Sequence, residues 1–178
     1  LPVVGKFQDE DKGIAFDVKA ENKQGTERLL TGHDHGLITL NIDEADDAIR
    51  EMARNQMEEV YRTVLGHFRH EIGHYYWDQL IKDTRRLQSF RNLFGDDTTD
   101  YGEALQQHYS KPASNAWTEK FISAYASAHP WEDWAETWAH YMHIVDTMET
   151  AYSFGMTLNP RVADPENEMS ARLNIDPY

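Results

Sequence analysis

Apolar positions are sparse and irregular over the first 36 residues, where Gly5, Gly13, Gly25, Gly32 and Gly36 punctuate the chain. Within that region Gly13-Ile14-Ala15-Phe16-Asp17-Val18 alternates apolar and polar side chains well enough for a short strand. The stronger strand is Gly36-Leu37-Ile38-Thr39-Leu40-Asn41-Ile42, which ends at Asp43, a good N-cap. From 43 to about 77 the period changes: Ile49, Met52, Ala53, Val60, Val64 and Phe68 recur at three- and four-residue steps, as a buried helical stripe does. Gly66 marks a kink or a junction between two helices, the second continuing to about 87 with Leu80, Ile81 and Leu87 on its buried side. Residues 92–101, with Gly95 and an Asp/Thr cluster, read as loop, and 101–109 as a short helix broken by Lys111-Pro112. A helix over 115–126 follows, then one from 131 to about 154, with Pro130 where its missing N–H costs nothing and Gly155 as C-cap. The tail beyond 159 is polar and weakly structured on this pattern.

These elements predict an α+β fold, mainly α, with a small mixed sheet. The length of 178 residues suits one domain over 1–178, with 1–30 and 160–178 peripheral. Lys and Arg number 17 against 31 Asp and Glu, a net charge of −14 that repels nucleic acid and anionic membrane surfaces. No cysteine is present, which excludes disulfides and thiolate metal sites. No apolar run reaches the length of a membrane span and no signal peptide opens the chain, so a cytoplasmic location is expected. A first residue of Leu and an end at Asp176-Pro177-Tyr178 suit a fragment of a longer protein.

Chemistry concentrates in His70-Glu71-Ile72-Gly73-His74. Residues four apart share a helix face, so His70 and His74 can direct ring nitrogens at one ion, and Zn²⁺ suits two imidazoles in a tetrahedral shell. Glu71 sits one step round, beside the metal, where a carboxylate can move a proton from activated water to a leaving group. This is the H-E-x-x-H arrangement of metalloproteases. A catalytic zinc needs a third protein ligand and an open position. The metzincin pattern places Gly and His three and six residues after the second His, and Trp77 and Leu80 there exclude it. Glu132 and Glu136, one turn apart on a helix whose buried side is Trp131, Trp134, Ala135 and Trp138, offer the other common solution. One can ligate while the other accepts an N–H from a ligating His. Asp100, His140 and His143 stand as rivals, and His33-Asp34-His35 reads as a polar turn before it reads as a metal site.

The stretches Arg69-His70-Glu71-Ile72-Gly73-His74-Tyr75-Tyr76-Trp77 and His129-Pro130-Trp131-Glu132-Asp133-Trp134-Ala135-Glu136-Thr137-Trp138-Ala139-His140 resemble a bacterial family described as "putative zinc-binding metallopeptidases". More broadly they are similar to gluzincins, in which H-E-x-x-H is completed by an E-x-x-x-[DE] helix, as in thermolysin and the lethal-factor-like peptidases. The resemblance implies a zincin-like domain with one Zn²⁺ held by His70, His74 and Glu132. It also implies Glu71 as general base and Glu136 as the carboxylate behind a ligand. Tyr125 takes the place of a Tyr that faces the zinc in lethal-factor-like enzymes, where a phenol can donate to an oxyanion; His129 is a second candidate for that task. The expected activity is hydrolysis of peptide bonds in a peptide or protein substrate, with 37–42 as the sheet edge above the active-site helix. The rival class is a non-catalytic zinc-binding structural or interaction module, its fourth position closed by a group such as His129 or Asp133. A hydrolase of non-peptide bonds is the third. Nothing in the sequence fixes the oligomeric state or the substrate.

Overall fold

The structure, a computed structural model, describes residues 3–20, 29, 31–49, 51–52, 63–110 and 115–156. It divides into two compact units, Leu1–His140 and Tyr141–Tyr178, and the features below belong to the first unless stated. Strands β1 (Ala15–Lys19), β2 (Gly32–Asp34) and β3 (Leu37–Asn41) form a mixed sheet in the order β1-β3-β2. β1 runs parallel to β3, and β2 antiparallel to it. The expected edge strand over 37–42 is therefore the central one, and its Ile38 is fully buried. His33 and Asp34 belong to an edge strand, and the expected polar turn shrinks to His35-Gly36, with φ of 45° and 83°. Positive φ at both positions is the two-residue hairpin turn whose twist matches the strands. Gly36 is required twice over, because a Cβ there would also collide with the Gly13 carbonyl.

Helix α1 (Val64–Leu80) carries the H-E-x-x-H run and starts at Thr63, whose side chain accepts from Gly66 N–H at 2.9 Å. The expected stripe upstream of it is not core: Ile49, Met52 and Val64 are exposed, while Phe68 stacks on Phe16. Ala53 and Val60 lie outside the described residues. α1 also stops earlier than its pattern suggests. Thr84 Oγ donates to the carbonyls of Leu80 and Ile81 at 3.0 and 2.9 Å, and Asp83 takes a φ of 55°. A separate helix, α2 (Leu87–Phe94), then occupies part of the expected loop and ends at Gly95, with φ 108°. α3 (Tyr101–Ser110) begins at Asp100, whose carboxylate accepts from Glu103 N–H at 2.8 Å. In place of a helix over 115–126 there are two 3-10 turns, Asn115–Trp117 and Tyr125–Ser127. α4 (Pro130–Ser153) matches its prediction at both ends, and its last turns belong to the second unit, where Gly155 has φ 68°. The fold is thus α+β and mainly helical, and among the described residues no helix is long and apolar enough to cross a membrane.

Trp77, Ile81 and Phe90 form the core, with Leu80, Leu87, Phe94, Trp131 and Trp134 packed on them. This core welds α1 and α2 to the first turns of α4. The backbones of α1 and α4 meet at Gly73, where a Cβ would lie 3.1 Å from Ala135 Cα and 3.2 Å from Trp138 Cβ. Trp134 Nε1–H donates to the Gly73 carbonyl at 2.9 Å. Neither neighbour is the far end of a flexible chain, so Gly73→Val should destabilise the protein by about 1–3 kcal/mol through overpacking. Denaturant unfolding checks this, and an unchanged midpoint would show that the two helices can part without cost.

Candidate metal centre

His70 and His74 lie one turn apart on the face of α1 turned to α4, and both are buried. Their Nε2 atoms are 3.0 Å apart. Glu132, in the first turn of α4, is 1% exposed, and its Oε2 lies 3.0 Å from His70 Nε2 and 3.5 Å from His74 Nε2. Ligand atoms at about 2.0–2.1 Å from a tetrahedral zinc are about 3.3–3.4 Å from each other. The triangle of 3.0, 3.0 and 3.5 Å brackets that edge. Glu132 Oε2 is buried without a hydrogen bond, a costly condition that a cation relieves. The three residues therefore fit a zinc ion, and among the described residues no further His, Asp or Glu joins their group.

Glu136, one turn after Glu132, faces the other side of the same imidazole. Its Oε1 accepts from His70 Nδ1–H at 2.8 Å, and its Oε2 accepts from Ser123 Oγ at 2.7 Å. That bond places the His70 proton on Nδ1 and leaves Nε2 aimed at the centre. Burial opposes charge on His70, but the Glu132 and Glu136 carboxylates, 3.0 and 2.8 Å from its two ring nitrogens, outweigh it and raise its pKa well above the ordinary value, a pull toward positive charge at Nε2 that a cation there would answer. Burial likewise opposes charge on Glu132, and there the His70 and His74 rings, 3.0 and 3.5 Å from Oε2, win, so its carboxyl lies well below the usual range. The centre is built to hold an anionic glutamate against positive charge.

Glu71 is buried beside the ligands. His67, one turn earlier on α1, places Nε2 3.7 Å from Glu71 Oε1 and donates from Nδ1 to Glu44 Oε2 at 2.7 Å. Thr31 Oγ in turn donates to Glu44 Oε1 at 2.9 Å. Tyr125 sits on its 3-10 turn with its ring 5.9 Å from that of His70. Beyond it, Tyr101 O–H donates to Glu132 Oε1 at 2.6 Å. Burial and then the Glu132 charge push both phenols up, so both remain protonated donors.

His67, Glu44, Ser123 and Tyr101 were missed by the sequence reading. His67 carried a usable signal, since it stands four residues before Glu71 on the same helix. The other three reach the centre only through tertiary contacts. The remaining candidates are engaged elsewhere. His129 accepts from Trp131 N–H through Nδ1 at 3.0 Å and donates to Thr99 O through Nε2 at 3.1 Å, so both its nitrogens are committed. Asp133, lifted to about 6 by burial, lies outside the ligand group. Asp100 caps α3 and His140 Nδ1–H donates to Glu136 O at 2.8 Å. His33 accepts from Gly36 N–H through Nε2 at 2.9 Å, and burial lowers it to about 4, which keeps it neutral. His35 pairs with Asp34 on the exposed hairpin turn, and His143 belongs to the second unit.

The family described as "Putative zinc-binding metallo-peptidase" matches residues 1–177. An uncharacterized protein of Mycobacterium bovis and two of Mycobacterium tuberculosis, strains CDC 1551 and H37Rv, are each 48% identical over 157 residues. The match takes in 88% of this chain and 45% of each relative, so the chain spans less than half the length of these curated proteins. No solved structure matches the chain.

Proposed function

Because the chain belongs to the family described as "Putative zinc-binding metallo-peptidase", we propose that it is a zinc-dependent peptidase of gluzincin type on a zincin-like plan. The observation that carries this reading is the buried His70–His74–Glu132 triangle with Glu71 beside it and no fourth ligating side chain among the described residues. A structural zinc site would need that fourth group, and His129 has both nitrogens occupied. Zinc held by the three residues would polarise the scissile carbonyl and acidify the attacking water. The chain's own residues do the rest. Glu71 takes the proton released as the water oxygen attacks the carbonyl carbon, then delivers it to the amine nitrogen as the C–N bond breaks. Glu136 and Ser123 keep the His70 ring turned inward, and His67, held by Glu44, lies 3.7 Å from the Glu71 carboxylate. Tyr125 keeps its proton and would offer its O–H to the developing oxyanion.

The substrate is a peptide or protein segment. β2, the edge strand whose His33 ring lies 6.3 Å from that of His74, offers main-chain groups to an extended chain in place of β3. Incubating the zinc-loaded protein with a peptide library, and reading products by mass spectrometry, tests the reading. Cleavage that a chelator stops and added zinc restores is the expected result. A protein that takes up no zinc at neutral pH overturns it.

A further inference from the structure

The two oxygens of Glu132 live in different surroundings. Oε2 faces the two Nε2 atoms and makes no hydrogen bond, whereas Oε1 accepts from the Tyr101 phenol at 2.6 Å. Tyr101 comes from another element, the first residue of α3, and it is held there from three sides. Asp100 caps the helix start, and His129 donates to the carbonyl of Thr99, tying that loop to the start of α4. The Tyr101 ring packs edge-on against His129 and Trp131, with centroids 5.4 and 5.6 Å away. A carboxylate whose second oxygen accepts a hydrogen bond is less free to rotate.

We propose that Tyr101 is a positioning residue that restricts Glu132 to one ligating oxygen. By occupying Oε1 it leaves only Oε2 for the metal, so the carboxylate cannot close over the ion with both oxygens and fill the open position. This inference rests on the zinc site proposed above. It concerns how that site is held and kept open, and it gives His129 a task as the strap that sets the Tyr101 loop.

The test compares wild type with Tyr101→Phe, using Zn²⁺ in competition with a chromophoric chelator and Co²⁺ as a spectroscopic substitute. Loss of the phenol should weaken zinc binding about 10–100-fold, the range for a partner that orients a ligand. The visible absorption of bound Co²⁺ should also weaken, as a bidentate Glu132 raises the coordination number. If Tyr101→Phe does not fold, Tyr101→His, which keeps a ring N–H donor, takes its place and should retain more affinity than Tyr101→Leu. Wild-type affinity and spectrum in Tyr101→Phe would overturn the inference while leaving the zinc reading intact. Failure of wild type to bind zinc would overturn both.

Discussion

Glu71→Gln should lower peptide turnover by about 10²–10⁴-fold while leaving zinc binding in place. Glutamine has nearly the size of glutamate and still offers a carbonyl oxygen, so the buried pocket beside His70 stays filled. What disappears is basicity. The amide takes no proton from the attacking water and has none to hand to the leaving nitrogen, so the loss falls on kcat and KM changes little. The ligand triangle does not include Glu71, and its spacing is set by α1 and α4. Zinc content by elemental analysis and kcat on any cleaved peptide are measured on the same preparation. Full activity with zinc retained would remove Glu71 from the base role. His67 would then be the next residue to test, since its Nε2 faces the same space at 3.7 Å.

The pairing of His70 with His74, and of Glu132 with Glu136, was legible because helical spacing alone sets which side chains share a face. Sequence spacing left open which carboxylate joins the imidazoles. The structure puts Glu132 on Nε2 of His70 and Glu136 on Nδ1, a difference that depends on how α4 meets α1 at Gly73 and not on spacing within either helix. Misreadings cluster where a side chain captures backbone groups or a distant segment intervenes. Thr84 ends α1 by binding its last carbonyls, which no apolar period reveals. Ser123 accepts from Ala126 N–H at 3.0 Å while donating to Glu136, and the expected helix over 115–126 gives way to turns. β3 was expected as an edge on the zincin-like plan, whereas the hairpin partner β2, read as a turn, pairs along one side of it. The parallel partner β1 reaches its other side with each pair 22 residues apart, as Ala15 with Leu37, so strand order depended on pairings that local alternation does not encode. Tyr101 and Glu44 are the same case at the site, each supplied by an element whose own pattern is silent about the metal.

Glu132→Ala should strip the protein of zinc that wild type holds at about one per chain. Two imidazoles remain, but the anionic member of the triangle is gone, and with it the charge that balances the ion. The fall in affinity should exceed the roughly 10–100-fold expected for Glu136→Ala, which removes only the group that orients His70. That ordering decides between the two carboxylates. Geometry favours it on three counts: Glu132 is the more deeply buried, its Oε2 reaches both Nε2 atoms, and that oxygen lacks a hydrogen bond. Glu136, by contrast, is already satisfied by His70 Nδ1–H and Ser123 Oγ–H. Ala at 132 removes a buried anion along with its partners' charge balance, so thermal unfolding of the metal-free variants must accompany the zinc titration to confirm that both fold. Zinc held at wild-type affinity by Glu132→Ala and lost by Glu136→Ala would move the third ligand one turn along α4. The His70 ring would then have to flip, because the nitrogen that now faces Glu136 is Nδ1.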